Sequence, residues 1–134
     1  MSGIVIDTSV VLNWVLPDEN DKPGSEARCT LYDTQRMLVV PPIFWYETRS
    51  ALLAAVWRNR IDLEDARTCL ELIEALPLQF GELENDDILK MAHDLGLSIY
   101  DTSYLELASR HDYALATFDK KLARCAEQMN IPLV

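Results

Sequence analysis

Short, continuously apolar runs alternate along this chain with longer segments that carry helical patterns. The short runs are rich in Val, Ile and Leu, which is typical of parallel strands buried on both faces. The predicted strands are Ile4–Ile6, Met37–Val40, Pro77–Phe80, Ala114–Thr117 and Ile131–Val134. The predicted helices are Val10–Leu16, Ser25–Gln35, Ile43–Arg58, a helix from the cap Asp62 to about Leu76, Asp86–Leu95, Asp101–Arg110 and Asp119–Gln128.

This alternation predicts an α/β fold, a three-layer sandwich in which helices flank a mostly parallel central sheet. The chain has 134 residues, so we expect one domain over residues 1–134. Hydrophobic residues make up 49% and charged residues 25%, which excludes an intrinsically disordered chain.

The net charge of the chain limits which kinds of molecule it can bind. Twelve basic and 22 acidic residues give a net charge of −10, so bulk charge will not attract nucleic acid or an anionic membrane. A nucleic-acid substrate therefore needs a local basic patch or bound cations. Three widely spaced cysteines indicate neither a disulfide framework nor a thiolate zinc site. With no signal peptide and no apolar stretch near the roughly 20 residues that span a bilayer, we expect a cytoplasmic protein.

Four carboxylates occupy positions that suggest a site. Asp7 and Asp119 follow predicted strands, at the sheet edge where parallel α/β proteins bind ligands. Asp101 opens a predicted helix, and Glu47 lies inside one. Each acid is followed at helical spacing by largely apolar or small residues, so we expect all four to point inward.

Glu106 gives a contrast, because Ser109 and Arg110 follow it at that spacing, which predicts a solvent-facing position.

Inward carboxylates need a partner, because burying an unpaired charge costs several kcal/mol or more. Few Lys or Arg lie on these inner faces, so a divalent cation is the economical explanation. The alternative is structural, since Asp7, Asp101 and Asp119 each precede a helix, where Asp is a favoured N-cap. Capping does not account for Glu47, which follows Pro42 by more than one turn.

Four blocks of the sequence resemble the PIN-domain family, in the right order and spacing over essentially the whole chain. They are Ile4–Ser9, Glu47 with Ala51 and Leu52, Tyr100–Ala108 and Leu115–Leu122. By length the chain is most similar to the VapC-type toxins. The resemblance implies a metal-dependent ribonuclease that binds magnesium or manganese.

The resemblance also assigns roles to individual residues. It implies an acidic quartet made of Asp7, Glu47, Asp101 and Asp119. Thr8 and Thr117 match hydroxyl positions that support the site. Ser50 departs from the pattern, since the family often has Asn three residues after the helical Glu.

The implied partners are an RNA substrate, a small antitoxin protein and a second copy of the chain. For RNA phosphates the best candidates are Lys120 and Lys121, which sit beside Asp119, with Arg49 as a further candidate. A bound cation would mask acidic repulsion of RNA, lower the pKa of its water and polarise the phosphate.

Two other functions remain open. Haloacid-dehalogenase-like phosphatases also carry an Asp after their first strand, but they show Asp-x-Asp, and here Ser9 stands at the third position. A non-catalytic PIN-like binding module is the second alternative. Nuclease activity that is lost on chelation separates these functions.

Overall fold

The computed structural model describes residues 3–17, 36–84 and 87–134, which form four strands and six helices. The strands are β1 (Gly3–Ile6), β2 (Met37–Val40), β3 (Leu78–Phe80) and β4 (Ala114–Ala116). The helices are α1 (Thr8–Val15), α2 (Phe44–Trp57), α3 (Leu63–Glu74), α4 (Ile88–Leu95), α5 (Ile99–His111) and α6 (Lys120–Gln128). The predicted helix Ser25–Gln35 lies outside the described residues.

The four strands form one parallel sheet in the order β3-β2-β1-β4. The backbone N–H of Asp7 donates to the carbonyl of Ala116 at 3.2 Å, which extends the β1–β4 pairing by one residue. The predicted last strand is reduced to a single parallel bridge between Leu115 and Leu133. The parallel α/β sheet predicted from the sequence is confirmed.

Strand residues alternate between two hydrophobic cores, one on each face of the sheet. Ile4 and Ile6 pack with α1, α2 and α3, whereas Val5 packs with α5 and α6. The alternation follows from the period of two along a strand, and it gives the three layers. No helix in the described parts of the chain is both long and apolar enough to cross a membrane.

Two of the helix starts that differ from their predicted positions change where a candidate site acid lies. Helix α5 begins at Ile99, because Ser98 caps it and its Oγ accepts a hydrogen bond from Asp101 N at 3.0 Å. Asp101 therefore lies in the first turn and is not the cap. Helix α2 begins at Phe44, which places Glu47 in its first turn, nearer the helix start than expected.

The expectation that Glu106 faces solvent is wrong. Its side chain is only 4% exposed, and its carboxylate accepts a hydrogen bond from Arg110 Nε at 2.7 Å. Arg110 also contacts Glu84 at 3.3 Å and donates to the carbonyl of Glu82. The guanidinium one turn along the helix neutralises Glu106, and the segment that follows β3 packs onto that ion pair.

Candidate active site

Asp7 lies directly after β1 and caps α1, with only 6% of its surface exposed. One carboxylate oxygen accepts from Ser9 Oγ at 2.6 Å and from Val10 N at 3.3 Å. The other accepts from the hydroxyl of Thr117. Burial raises the pKa of Asp7; these hydrogen bonds lower it, and the charge of Asp119 raises it. Asp7 is thus a helix cap, as the structural alternative predicted, and also a buried carboxylate whose donors among the described residues are all uncharged.

Two hydroxyls tie Asp7 to the loop between β4 and α6. Thr117 Oγ1 accepts from Asp119 N at 2.9 Å, and Ser9 Oγ accepts from Phe118 N at 3.0 Å. Each hydroxyl therefore donates to Asp7 and accepts from the loop. The supporting position predicted for Thr117 lies at the site, whereas Ser9 was missed, although it belongs to the same short motif as Asp7.

Glu47 is half-buried and is held by a tyrosine from another helix. Tyr104 Oη donates to Glu47 Oε1 at 2.9 Å, and the same hydroxyl lies 3.5 Å from Thr8 Oγ1. Burial raises the pKa of Glu47, the Tyr104 hydrogen bond lowers it, and the charges of Asp101 and Asp7 raise it again. Burial also raises the pKa of Tyr104, so the phenol stays protonated and able to donate. Tyr104 was missed as a site residue; its position three residues after Asp101, on the same helix face, was the available signal.

Asp101 is half-buried in the first turn of α5. Burial raises its pKa, the charge of Asp119 raises it further, and Ser98 and Lys121 lower it. Asp119 caps α6 and accepts from Leu122 N at 3.0 Å, but its side chain is exposed. The inward direction expected for Asp119 is therefore wrong.

The structure brings the four acids to the carboxyl edge of the sheet. Helix α5 leads directly into the parallel strand β4, so its first turn with Asp101 must lie at the same edge as the end of β1. Repulsion links Asp7 with Asp119, Asp119 with Asp101, Asp101 with Glu47, and Glu47 with Asp7, which closes a ring. Within the described ranges, none of the four forms a salt bridge with Lys or Arg.

The donor chemistry of this edge suits a hard divalent cation, because all four groups offer carboxylate oxygens. In the arrangement seen, however, no three Asp, Glu, His or Cys side chains of the described residues are placed to hold a metal ion together. In this arrangement both Asp7 oxygens and Glu47 Oε1 accept hydrogen bonds from protein donors.

The structure also shows the surroundings of Ser50, Lys120 and Lys121, the other predicted site residues near the carboxyl edge of the sheet. Ser50 is exposed on α2, one turn after Glu47. Lys120 is exposed at the start of α6, and Lys121 donates to the carbonyl of Gly96 at 2.7 Å, which joins α6 to the end of α4. The charge of Lys121 acts on Asp101, so this lysine lies near the acids.

Arg49 belongs to a different surface. It pairs with Glu74 of α3 at 3.3 Å, and its guanidinium lies 5.6 Å from the centre of the Trp45 ring. Two residues along a helix correspond to a rotation of about 200°, which turns Arg49 away from Glu47. The structure thus places Arg49 at the contact between α2 and α3, apart from the acids.

Comparison with known proteins decides the family. The model of the PIN domain matches residues 4–128. The chain belongs to the PIN-domain family. PIN domains are generally nucleases, and these nucleases generally use divalent metal ions. No curated protein matches the sequence significantly.

Solved structures with the PIN fold are similar over nearly all of the chain. PAE2754 from Pyrobaculum aerophilum has 20% identity and a TM-score of 0.74, over 98% of this chain and 83% of that one. FitAcB from Neisseria gonorrhoeae has 14% identity and a TM-score of 0.66, over 97% and 95%. VapBC2 from Rickettsia felis, bound to a DNA fragment from their promoter, has 13% identity and a TM-score of 0.64, over 98% and 96%. At these identities the likeness concerns the fold.

Proposed function

We propose that this PIN domain is a metal-dependent endoribonuclease and the toxin of a type II toxin–antitoxin pair. The observation that carries the proposal is the ring of four acids at the carboxyl edge, which repel one another and form no salt bridge with Lys or Arg among the described residues. A divalent cation removes that repulsion. Membership of a family of nucleases supports the same conclusion.

In this proposal Asp7, Glu47, Asp101 and Asp119 hold magnesium or manganese. When bound, the cation acidifies a water molecule and polarises the phosphodiester. The chain supplies the placement: Ser9 and Thr117 fix Asp7. The Ser98 cap fixes the first turn of α5 and with it Asp101.

The substrate and partners follow from the charge and the family. Lys120 and Lys121, beside Asp119 at the start of α6, are the basic groups that we propose contact RNA phosphates. VapBC and FitAB toxin–antitoxin complexes are among the structural neighbours, which supports an antitoxin as partner. A homodimer and a cytoplasmic location complete the proposal; Cys69 and Cys125 are buried free thiols, which accords with a reducing compartment.

A non-catalytic binding module is the competing function. One observation favours it: in the described residues no three ligating side chains are placed to hold a metal ion together. The two functions differ in whether Asp7 serves chemistry or only caps α1.

An RNA-cleavage assay separates the two functions. The variants are Asp7→Asn and, as a matched control, Asp62→Asn. Asp62 is also an N-cap, whose carboxylate accepts from Asp65 N at 2.7 Å at the start of α3. Asn retains the cap in both variants but removes a ligand charge only at Asp7. We expect cleavage with Mg²⁺ or Mn²⁺ by wild type and Asp62→Asn, and its loss with a chelator or in Asp7→Asn. Equal cleavage by both variants would reject the nuclease site.

A further inference from the structure

One buried phenol connects the segments that carry three of the four acids. Tyr104 is only 1% exposed, and its hydroxyl meets Glu47 of α2 at 2.9 Å and Thr8 at 3.5 Å. Thr8 directly follows Asp7, and Tyr104 stands one turn after Asp101 on α5. The hydroxyl therefore lies where α1, α2 and α5 meet at the acidic edge.

The hydroxyl of Tyr104 is not needed to fill the hydrophobic core. The ring of Tyr104 belongs to the core formed by Val5, Leu105 and Leu122, which a phenylalanine ring would fill equally well. A buried hydroxyl without a partner costs free energy, so its place in this core depends on the polar groups it meets. The shorter contact is to Glu47, and an ionised carboxylate can only accept, so the phenol donates to it.

Glu47 needs such a partner in order to be held in one position. One turn before it, at the start of α2, stand Ile43 and Phe44, towards which a helical side chain leans, and their apolar side chains offer no hydrogen-bond donor. One turn after it stand Ser50, which is exposed, and the small Ala51. An unconfined Glu samples several rotamers and loses that freedom on binding a cation. The bond to Oε1 selects one orientation, while a carboxylate keeps a second oxygen with which to bind.

We propose that Tyr104 is a positioning residue, whose hydroxyl holds Glu47 in place beside Asp7 and Asp101 for divalent metal binding. This inference rests on the proposed function, because it assumes that Glu47 is a metal ligand. It adds a residue outside the acidic quartet on which the metal affinity of the site depends.

The test is Mn²⁺ calorimetry on the metal-free chain with Tyr104→Phe. Removing a partner that orients a ligand typically weakens metal binding by about 10–100-fold, and we expect a loss in that range. Tyr113→Phe is the matched control, because Tyr113 packs against the same core and its ring stacks on His111 at 5.1 Å, just before β4. It should bind Mn²⁺ as wild type does. Thermal melting without metal reports folding separately.

A double-mutant cycle with Glu47→Gln distinguishes positioning from a general structural effect. If Tyr104 acts through Glu47, Tyr104→Phe changes Mn²⁺ affinity by less than about twofold once Glu47 is Gln. Losses that simply add in the double mutant would overturn the inference, as would wild-type affinity in Tyr104→Phe.

The outcome for wild type separates this inference from the proposed function. If wild type binds Mn²⁺ and cleaves RNA while Tyr104→Phe matches it, only the role of Tyr104 is rejected. If wild type binds no Mn²⁺, the metal site itself is rejected, and the role of Tyr104 with it.

Discussion

Asp7 and Glu106 are both almost fully buried carboxylates, yet the chain surrounds them differently. Glu106 accepts from the guanidinium of Arg110 at 2.7 Å, so its charge is neutralised within one turn of α5. In the part of the chain that the structure describes, Asp7 accepts from two hydroxyls and one backbone N–H. Uncharged donors satisfy its oxygens but leave its negative charge in place, next to other acids. Burial alone therefore does not single out a candidate site acid. Asp7 differs from Glu106 because no Lys or Arg of the described residues forms a salt bridge with it.

The largest effect should come from Asp7→Asn. Asn keeps the cap on α1 but cannot neutralise a cation, so we expect RNA cleavage to fall by at least about 100-fold. Folding should be retained or improved, because the pKa of Asp7 is raised by burial and the substitution removes that unfavourable charge. A cleavage assay beside urea unfolding measures both. A large loss of stability with proportional loss of cleavage would mean that Asp7 is structural, like Glu106.

Arg110→Met should produce the opposite result. It leaves Glu106 buried without its cation, and we expect the free energy of unfolding to fall by about 2–3 kcal/mol, with little change in cleavage per folded molecule. Arg49→Met is the control, since both partners of the Arg49–Glu74 pair are about half exposed, and we expect it to cost less than about 1 kcal/mol. Equal losses of stability in the two variants, measured by urea unfolding, would mean that the buried Glu106–Arg110 pair contributes no more than the exposed Arg49–Glu74 pair.

Asp119→Asn should weaken the site less than Asp7→Asn does. Asp119 is exposed, and water already screens its charge, so we expect Mn²⁺ affinity to fall by about tenfold. Asn should keep the cap on α6. If calorimetry shows that Asp119→Asn loses as much Mn²⁺ affinity as Asp7→Asn, the solvent exposure of an acid does not determine how much it contributes to metal binding.

The smallest effect concerns pH in the metal-free chain. Burial is the main cause that raises the folded-state pKa values of Asp7, Glu47 and Asp101 above their ordinary values, which are 3.8 for Asp and 4.5 for Glu. At a pH just above these ordinary values, the folded state therefore binds more protons than the unfolded state. Stability contributed by these groups is therefore present at low pH and is lost as pH rises through the raised pKa values. Urea unfolding of wild type and Asp7→Asn at about pH 5 and pH 7 should show the smaller decline in the variant. A steeper decline in the variant would contradict the burial of an unneutralised Asp7.

Local patterns predicted the parts of the fold and of the site that depend on neighbouring residues. Short apolar runs predicted the buried strands β1 and β2. Because Asp7 and Asp119 come after predicted strands, they were expected at the carboxyl edge of the sheet. The helix start at Ser98 was missed because Ser98 and Asp101 are both good caps three residues apart, and only the backbone geometry chooses between them.

Contacts between distant segments could not be predicted in this way. Tyr104 meets Glu47 across 57 positions of sequence, and Ser9 meets Phe118 across 109. Glu106 is buried beside Arg110, which also contacts Glu82 and Glu84, and the residue spacing within α5 could not predict that contact. The PIN resemblance agreed with the four acids that their positions had singled out, and it pointed to the hydroxyl of Thr117, but not to Ser9 or Tyr104.

Manganese calorimetry at neutral pH shows whether the acidic edge of the sheet takes up a cation that no Lys or Arg of the described residues replaces. We expect wild type and Asp62→Asn to bind Mn²⁺ with the same affinity and Asp7→Asn to lose most of that affinity. Wild type should bind more weakly at about pH 5.5, where protons compete for the carboxylates. Binding that is equal in wild type and Asp7→Asn at both pH values would contradict these expectations, and Asp7 would then be a helix cap alone.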